Sequence, residues 1–241
     1  MLLIPSILRQ VIRQNRGDAV ARPRAIENPE QYQQHAKYRL PFDGTWYVFN
    51  GGVTPDTSHS WDIVEQRYAY DFVVVDDQLR RWRTDGKTLE DYLCYDLPIL
   101  APADGEVVAV VDNVRDAPGV GTGWLDVFTS HFPGNAVTIQ HAEGEYSFLA
   151  HLKPGSICVQ VGDRVQQGQE IGRCGNSEHS TEPHLHFQLQ DHADFFKAAG
   201  LPVAFNKAII DGEMIKKSVC LTQGILVSEA DMNENHLTTS K

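Results

Sequence analysis

The 241-residue sequence has no C-x-x-C pair, and its four cysteines, Cys94, Cys158, Cys174 and Cys220, are scattered. That spacing excludes the usual zinc knuckle and the dithiol redox motif, so buried free thiols are expected. Basic residues are scarce, with 21 Lys and Arg against 32 Asp and Glu and a formal charge of -11. Binding to phosphate backbones needs the opposite balance, so no nucleic-acid partner is expected. No apolar run approaches the roughly 20 residues of a membrane-spanning helix, and no internal repeat stands out. A secretory leader is also missing by pattern, because the arginines follow the apolar Leu2 to Leu8 run instead of preceding it. The compartment is therefore left open between the cytoplasm and export by another route.

What is there belongs to a folded chain, 41% hydrophobic and 22% charged. Residues 1 to 25 carry Arg9, Arg13, Arg16, Arg22 and Arg24 against Asp18 alone, so +4 sits at the start and -15 on the rest. Ile4, Leu8, Val11 and Ile12 fall at helical spacing opposite three of those arginines, which predicts an amphipathic helix from near Pro5. Packing on the domain is favoured for it over a weak membrane-surface or partner contact. Residues 1–43 then read as this helix plus an extended lead-in, 44–190 as the main domain, and 191–241 as an extension packing on it with a frayed tail. Within 44–190, short β-rich runs alternate with glycine turns: 46–49, 69–75, 106–111, 136–140, 146–152, 156–161, 170–173 and 184–190. The fold class expected is mainly β, an antiparallel sandwich or barrel-like sheet with short peripheral helices. Two insertions interrupt it. Asp76 to Tyr92 reads as a charged loop with a short helix starting at Thr88, and Asn113 to Gly134, with Trp124, Phe128 and Phe132, as a cleft-shaping loop or a packing excursion. A helix is expected over Asp191 to Ala199 and a further strand pair over Ser218 to Val227.

His184 and His186 are two apart, and strand alternation puts both imidazoles on one face while Leu185 and Phe187 pack on the other. An isolated H-x-H is a weak indicator of metal, since such pairs also occur on plain solvent faces. Its surroundings add to it. Tyr146 to Leu152 ends in Ala150-His151-Leu152, followed by Gly162-Asp163-Arg164-Val165, Gly168 to Gly172, Gly175-Asn176-Ser177 and Pro183-His184-Leu185-His186-Phe187. This ordered set, over about Leu97 to Gln190, resembles the lysostaphin-like (LytM-type) zinc metallopeptidase domain, a duplicated hybrid motif fold.

The resemblance implies that His186 is a Zn2+ ligand, that His151 and His184 are catalytic and flank the metal's water, and that Asp71 of Tyr70-Asp71-Phe72 is a second ligand. Three protein ligands and one open position are what a catalytic zinc requires. The family usually has a histidine four residues before this aspartate, where Arg67 stands here. An arginine keeps its proton and cannot ligate. His59 is expected in the vacant place, brought there by a chain bulging between His59 and Asp71, with Arg67 as a neighbouring partner for a carboxylate or the substrate. His141 is expected to be structural. His35, His131, His179, His192 and His236 have no partner pattern. The resemblance implies a zinc endopeptidase acting on a peptide or peptidoglycan-fragment substrate. The alternative is a degenerate module regulating another cell-wall hydrolase, and a carrier domain ranks below both because no carrier lysine appears at a hairpin tip.

Overall fold

The computed structural model describes residues 6–117, 120, 133–177 and 182–230. Trp124, Phe128, Phe132, His131, His179, His236 and the tail beyond residue 230 lie outside them. Among the described residues one α-helix, α1 (Ser6–Ala21), precedes thirteen strands. These are β1 (Thr45–Asn50), β2 (Tyr70–Val73), β3 (Pro98–Leu100), β4 (Gly105–Val111), β5 (Ala136–Ala142), β6 (Glu145–Ala150) and β7 (Arg164–Val165). Then come β8 (Glu170–Arg173), β9 (Leu185–Gln190), β10 (Gly200–Leu201), β11 (Ala208–Ile210), β12 (Glu213–Met214) and β13 (Leu226–Glu229). The chain is mainly β, as its alternating apolar pattern predicts.

One antiparallel sheet runs in the order β12-β11-β13-β1-β2-β9-β6-β5-β4-β7, with β10 added to β9, and β3 and β8 form a separate pair. Strands after residue 190 are thus members of the large sheet, and β13 pairs with β1. Register sorts the side chains onto two faces. Tyr70 stands opposite Phe187, Phe187 opposite Leu149, and Leu149 opposite Val137. These residues join Ile99 and Ile171 of the small sheet in one buried core. Burying each such side chain stabilises the fold by roughly 1.5–3 kcal/mol, so this face sets the register of the strands. The other face carries the next row, Asn50 opposite Asp71, Asp71 opposite His186, His186 opposite Ala150, and Ala150 opposite Ala136.

Several local expectations shift. The helix expected at Thr88 is a single 3-10 turn, Leu89–Asp91, with a capping box between Thr88 and Asp91. The helix expected over 191–199 shrinks to the 3-10 turn Phe195–Lys197, capped by Asp194. Residues 156–161 form no strand, because after the Gly155 turn they bond only at single points such as Cys158 N to Ile171 O. Helix α1 docks on the Phe195–Lys197 turn: Arg13 bonds Asp194 at 3.1 Å and stacks 4.1 Å over the Phe196 ring. No helix among the described residues is long and apolar enough to cross a membrane. The lead-in is pinned through buried Glu145, whose carboxylate accepts from Tyr32 and Tyr38, each at 2.5 Å, and from the His35 and Ala36 N–H groups.

Candidate active site

The β2–β9 pairing places Asp71 beside His186, and the two neighbouring strands complete the surroundings. Asp71 Oδ1 lies 3.0 Å from His186 Nδ1 and 3.7 Å from His184 Nε2. Oδ2 lies 3.5 Å from His59 Nε2 and accepts from Asn50 Nδ2 at 3.0 Å. Asn50 reaches this row because β1 bulges between Val48 and Asn50, which returns its side chain to the site face. His151 follows the end of β6 with φ of +62°, a left-handed conformation uncommon for a residue with a side chain. Its ring centroid lies 4.6 Å from that of His184 and 5.7 Å from that of His186. All five residues singled out from sequence, His59, Asp71, His151, His184 and His186, therefore meet in one cluster.

His59 enters from the loop between β1 and β2. Ser58 Oγ donates to the Arg67 carbonyl at 2.7 Å, closing the excursion between them. In the described contacts Arg67 bonds backbone carbonyls and takes no carboxylate partner, one of the two roles expected of it. Its guanidinium donates to the carbonyls of Trp61 and Ile26 and stacks over the Trp61 ring. The arginine at the family's usual histidine position thus shapes the loop that delivers a different histidine.

Hydrogen bonds to oxygen acceptors assign the ring protons. A carbonyl only accepts, so His184 Nδ1 donates to Glu182 O at 2.9 Å, and His151 Nδ1 donates to Ser177 O at 3.0 Å. Each of these rings keeps Nε2 as its basic nitrogen. His186 is turned the other way, with Nε2 3.0 Å from Gln188 Oε1 and Nδ1 toward Asp71. Ser58, Asn50 and Gln188 were not singled out from sequence. Of the three, only Gln188 had a visible cue, its place two residues after His186 on the same strand face.

The electrostatics follow from burial and proximity. Burial by itself would raise the Asp71 carboxyl, but His184, His186 and His59 outweigh it and hold Asp71 well below the usual carboxylate range. Burial lowers His151 well below an ordinary histidine, and neighbouring His184 and His186 lower it further. His59 is lowered chiefly by burial, although Asp71 opposes the shift. His186 moves the other way: burial lowers it, but the contacts with Asp71 and Gln188 together win. The side chains of His186, His184 and His59 are 8%, 17% and 26% exposed, so the cluster opens on the His59 side. Below it, the Phe148 ring meets His186 edge-on at 6.4 Å. Phe148, Thr138 and Phe195 line a cavity of about 340 Å³ on this face. His141 stands apart and is saturated, bonded to Asp104 O and Ser147 Oγ, each at 2.8 Å.

The strand that bears His186, His184 just before it, and the turn that bears His151 lie within a recognisable sequence unit. The model of peptidase family M23 matches residues 91–198. This chain carries a peptidase family M23 domain. The M23 match takes in His151, His184 and His186, while His59 and Asp71 precede it. Among curated relatives, the chain is 36% identical over 101 residues to the glycyl-glycine endopeptidase ALE-1 of Staphylococcus capitis, covering 37% of this chain and 26% of that protein. It is 39% identical over 70 residues to the peptidoglycan DD-endopeptidase ShyA of Vibrio cholerae, covering 29% and 16%. It is 44% identical over 90 residues to the DD-carboxypeptidase/endopeptidase Mpg of Neisseria meningitidis, covering 37% and 18%. The matched part is thus about a quarter or less of these relatives' length. Among solved structures, the chain is similar to the catalytic domain of lysostaphin from Staphylococcus simulans, with 20% identity, 66% of this chain and 88% of that one covered, and a TM-score of 0.38.

Proposed function

We propose that this M23 domain is a zinc-dependent endopeptidase that hydrolyses peptide bonds in peptidoglycan cross-links or stem peptides. The observation that carries the reading is the approach of three histidine nitrogens to one buried carboxylate, with a fourth histidine against them. Among the described residues no group of three or more His, Cys, Asp or Glu side chains has the spacing of a formed metal cage. The Asp71 carboxylate instead takes up the histidines directly, at 3.0, 3.5 and 3.7 Å. Donors on one tetrahedral zinc, with bonds of about 2.0–2.1 Å, stand about 3.3 Å apart. The donor set of His59 Nε2, Asp71 and His186 Nδ1, two imidazoles and a carboxylate, suits zinc in its chemistry.

Zinc bound to these three would act as a Lewis acid toward the scissile carbonyl and acidify water. The rest of the chemistry falls to the chain. His151 and His184, each with Nδ1–H tied to a backbone carbonyl, present Nε2 as proton acceptor and later as donor to the leaving amine. Neutral rings are needed for that, and burial keeps His151 neutral near physiological pH. The cavity beside Phe148 would accept small residues of an extended peptide. The peptidoglycan class of substrate is supported by the similarity to a glycyl-glycine endopeptidase and a peptidoglycan DD-endopeptidase.

The second reading, a non-catalytic module regulating another cell-wall hydrolase, draws on Arg67 standing where the family usually has a histidine. Mass spectrometry of muropeptides and oligoglycine incubated with the zinc-loaded protein separates the two. New peptide termini that vanish with His184→Ala support the enzyme. A metal-replete protein that cuts none of them, yet stimulates a partner hydrolase, supports the module.

A further inference from the structure

His186, Gln188 and Gln190 share one face of β9, and their side chains are buried in a row. The row ends on a group of fixed polarity: Gln190 Nε2 donates to the His192 carbonyl at 2.7 Å. A carbonyl cannot donate, so the Gln190 amide must face it with its NH2, which turns Gln190 Oε1 toward Gln188. Gln188 Nε2 donates to that oxygen at 2.7 Å, which in turn presents Gln188 Oε1 to His186 Nε2 at 3.0 Å. Reversing either amide would set two oxygens or two NH2 groups against each other in a buried strip, leaving polar groups unsatisfied.

We propose that Gln188 and Gln190 are positioning residues that transmit the polarity of the His192 carbonyl along β9, fixing the proton on His186 Nε2 and aiming Nδ1 at the Asp71 site as the metal-binding nitrogen. Neither glutamine touches the reacting atoms in this arrangement. Gln190 does not touch the ring at all, so its influence must pass through the orientation of Gln188. The proposal rests on the zinc reading for its consequence, though not for the ring geometry. Without metal, Asp71 Oδ1 accepts a hydrogen bond from His186 Nδ1 at 3.0 Å, and an ion must displace that proton to bind there. A ring whose one remaining proton stays on Nε2 then leaves Nδ1 open, whereas one free to keep it on Nδ1 loses affinity.

Two measurements on the full chain test this. Imidazole 15N–1H spectroscopy of the metal-free protein should show a slowly exchanging Nε2–H on His186. That resonance should be lost in Gln188→Leu and weakened in Gln190→Leu. Zinc affinity, read by competition with a chromogenic chelator, should fall about 10- to 100-fold in Gln188→Leu, the usual effect of removing a hydrogen-bond partner behind a ligand. It should fall about twofold in Gln190→Leu, the factor for two equally populated Gln188 orientations. A parent protein whose His186 Nε2 carries no proton would overturn the relay even if it binds zinc. So would a Gln188→Leu protein, or where that variant does not fold a Gln190→Leu protein, with unchanged resonance and affinity. A parent that shows the Nε2–H resonance but binds no zinc supports the relay and overturns the zinc reading instead.

Discussion

Ser58 donates its hydroxyl to the Arg67 carbonyl at 2.7 Å, and this single bond closes the loop that carries His59 to the Asp71 carboxylate. Arg67, held to Trp61 and Ile26, is the other half of the clasp. Ser58→Ala is expected to cost about 1 kcal/mol of stability, the net worth of one such hydrogen bond. Its larger effect should be on metal: zinc affinity should drop severalfold while His59→Ala loses it far more heavily. Isothermal titration of zinc into the two variants checks the order. An affinity unchanged in His59→Ala would remove His59 from the proposed ligand set.

Asp71→Ala and His186→Ala should abolish zinc binding, because each removes one of three donors and leaves too few for a catalytic site. His151→Ala and His184→Ala should keep about one zinc per chain yet lose activity by roughly a hundred- to ten-thousand-fold, the usual effect of losing an acid–base group. Elemental analysis beside peptide-cleavage rates tests the partition. Equal loss of metal in all four variants would move the two catalytic histidines into the ligand set.

Glu145 should make stability depend on acid. Burial by itself would raise its carboxyl, but the Tyr32 and Tyr38 hydroxyls and the His35 and Ala36 N–H groups outweigh burial and lower it from 4.5. A carboxyl lowered by folding contributes stability that is present above the unfolded value and lost as pH falls through the folded one. Glu145→Gln should therefore unfold at a lower denaturant concentration than the parent near pH 7, by on the order of 2–3 kcal/mol for weakened bonds to a charged acceptor. The difference should shrink as pH falls below the ordinary glutamate value of 4.5 and on through the lower folded one. Urea titrations at neutral and acid pH decide it, and a gap that widens in acid would contradict the assignment.

Gly17 lets α1 lie against the Phe196 backbone, where an added Cβ would come 1.4 Å from the carbonyl oxygen. Gly17→Val should undock the helix, since a contact that close has no room to relax against backbone. Hydrogen exchange over residues 12–24 should rise sharply while β2, β6 and β9 stay protected. Arg13→Ala, which loses the Asp194 pair and the Phe196 stack, should give a milder form of the same change. Equal protection of the helix in Gly17→Val and the parent would show that the docking does not depend on this approach.

The alternation of apolar and polar residues sufficed to identify the β class, since the period of two belongs to the strand itself. The same local rule put His184 and His186 on one face, and the ordered motifs singled out His151. Asp71 and His59 were named through a resemblance, and only pairing of β2 with β9 sets Asp71 beside His186. Which residue stands opposite which is decided by burial across the sheet, a cooperative matter that no window of sequence contains. The β1 bulge that presents Asn50, the Ser58–Arg67 clasp and the left-handed turn at His151 are likewise tertiary choices, made where two distant segments must satisfy each other's polar groups. Sequence determined which side chains were available for the chemistry. The direction each imidazole faces depends on hydrogen-bond partners that exist only once the chain has folded, because a carbonyl or amide fixes a ring proton only at contact distance.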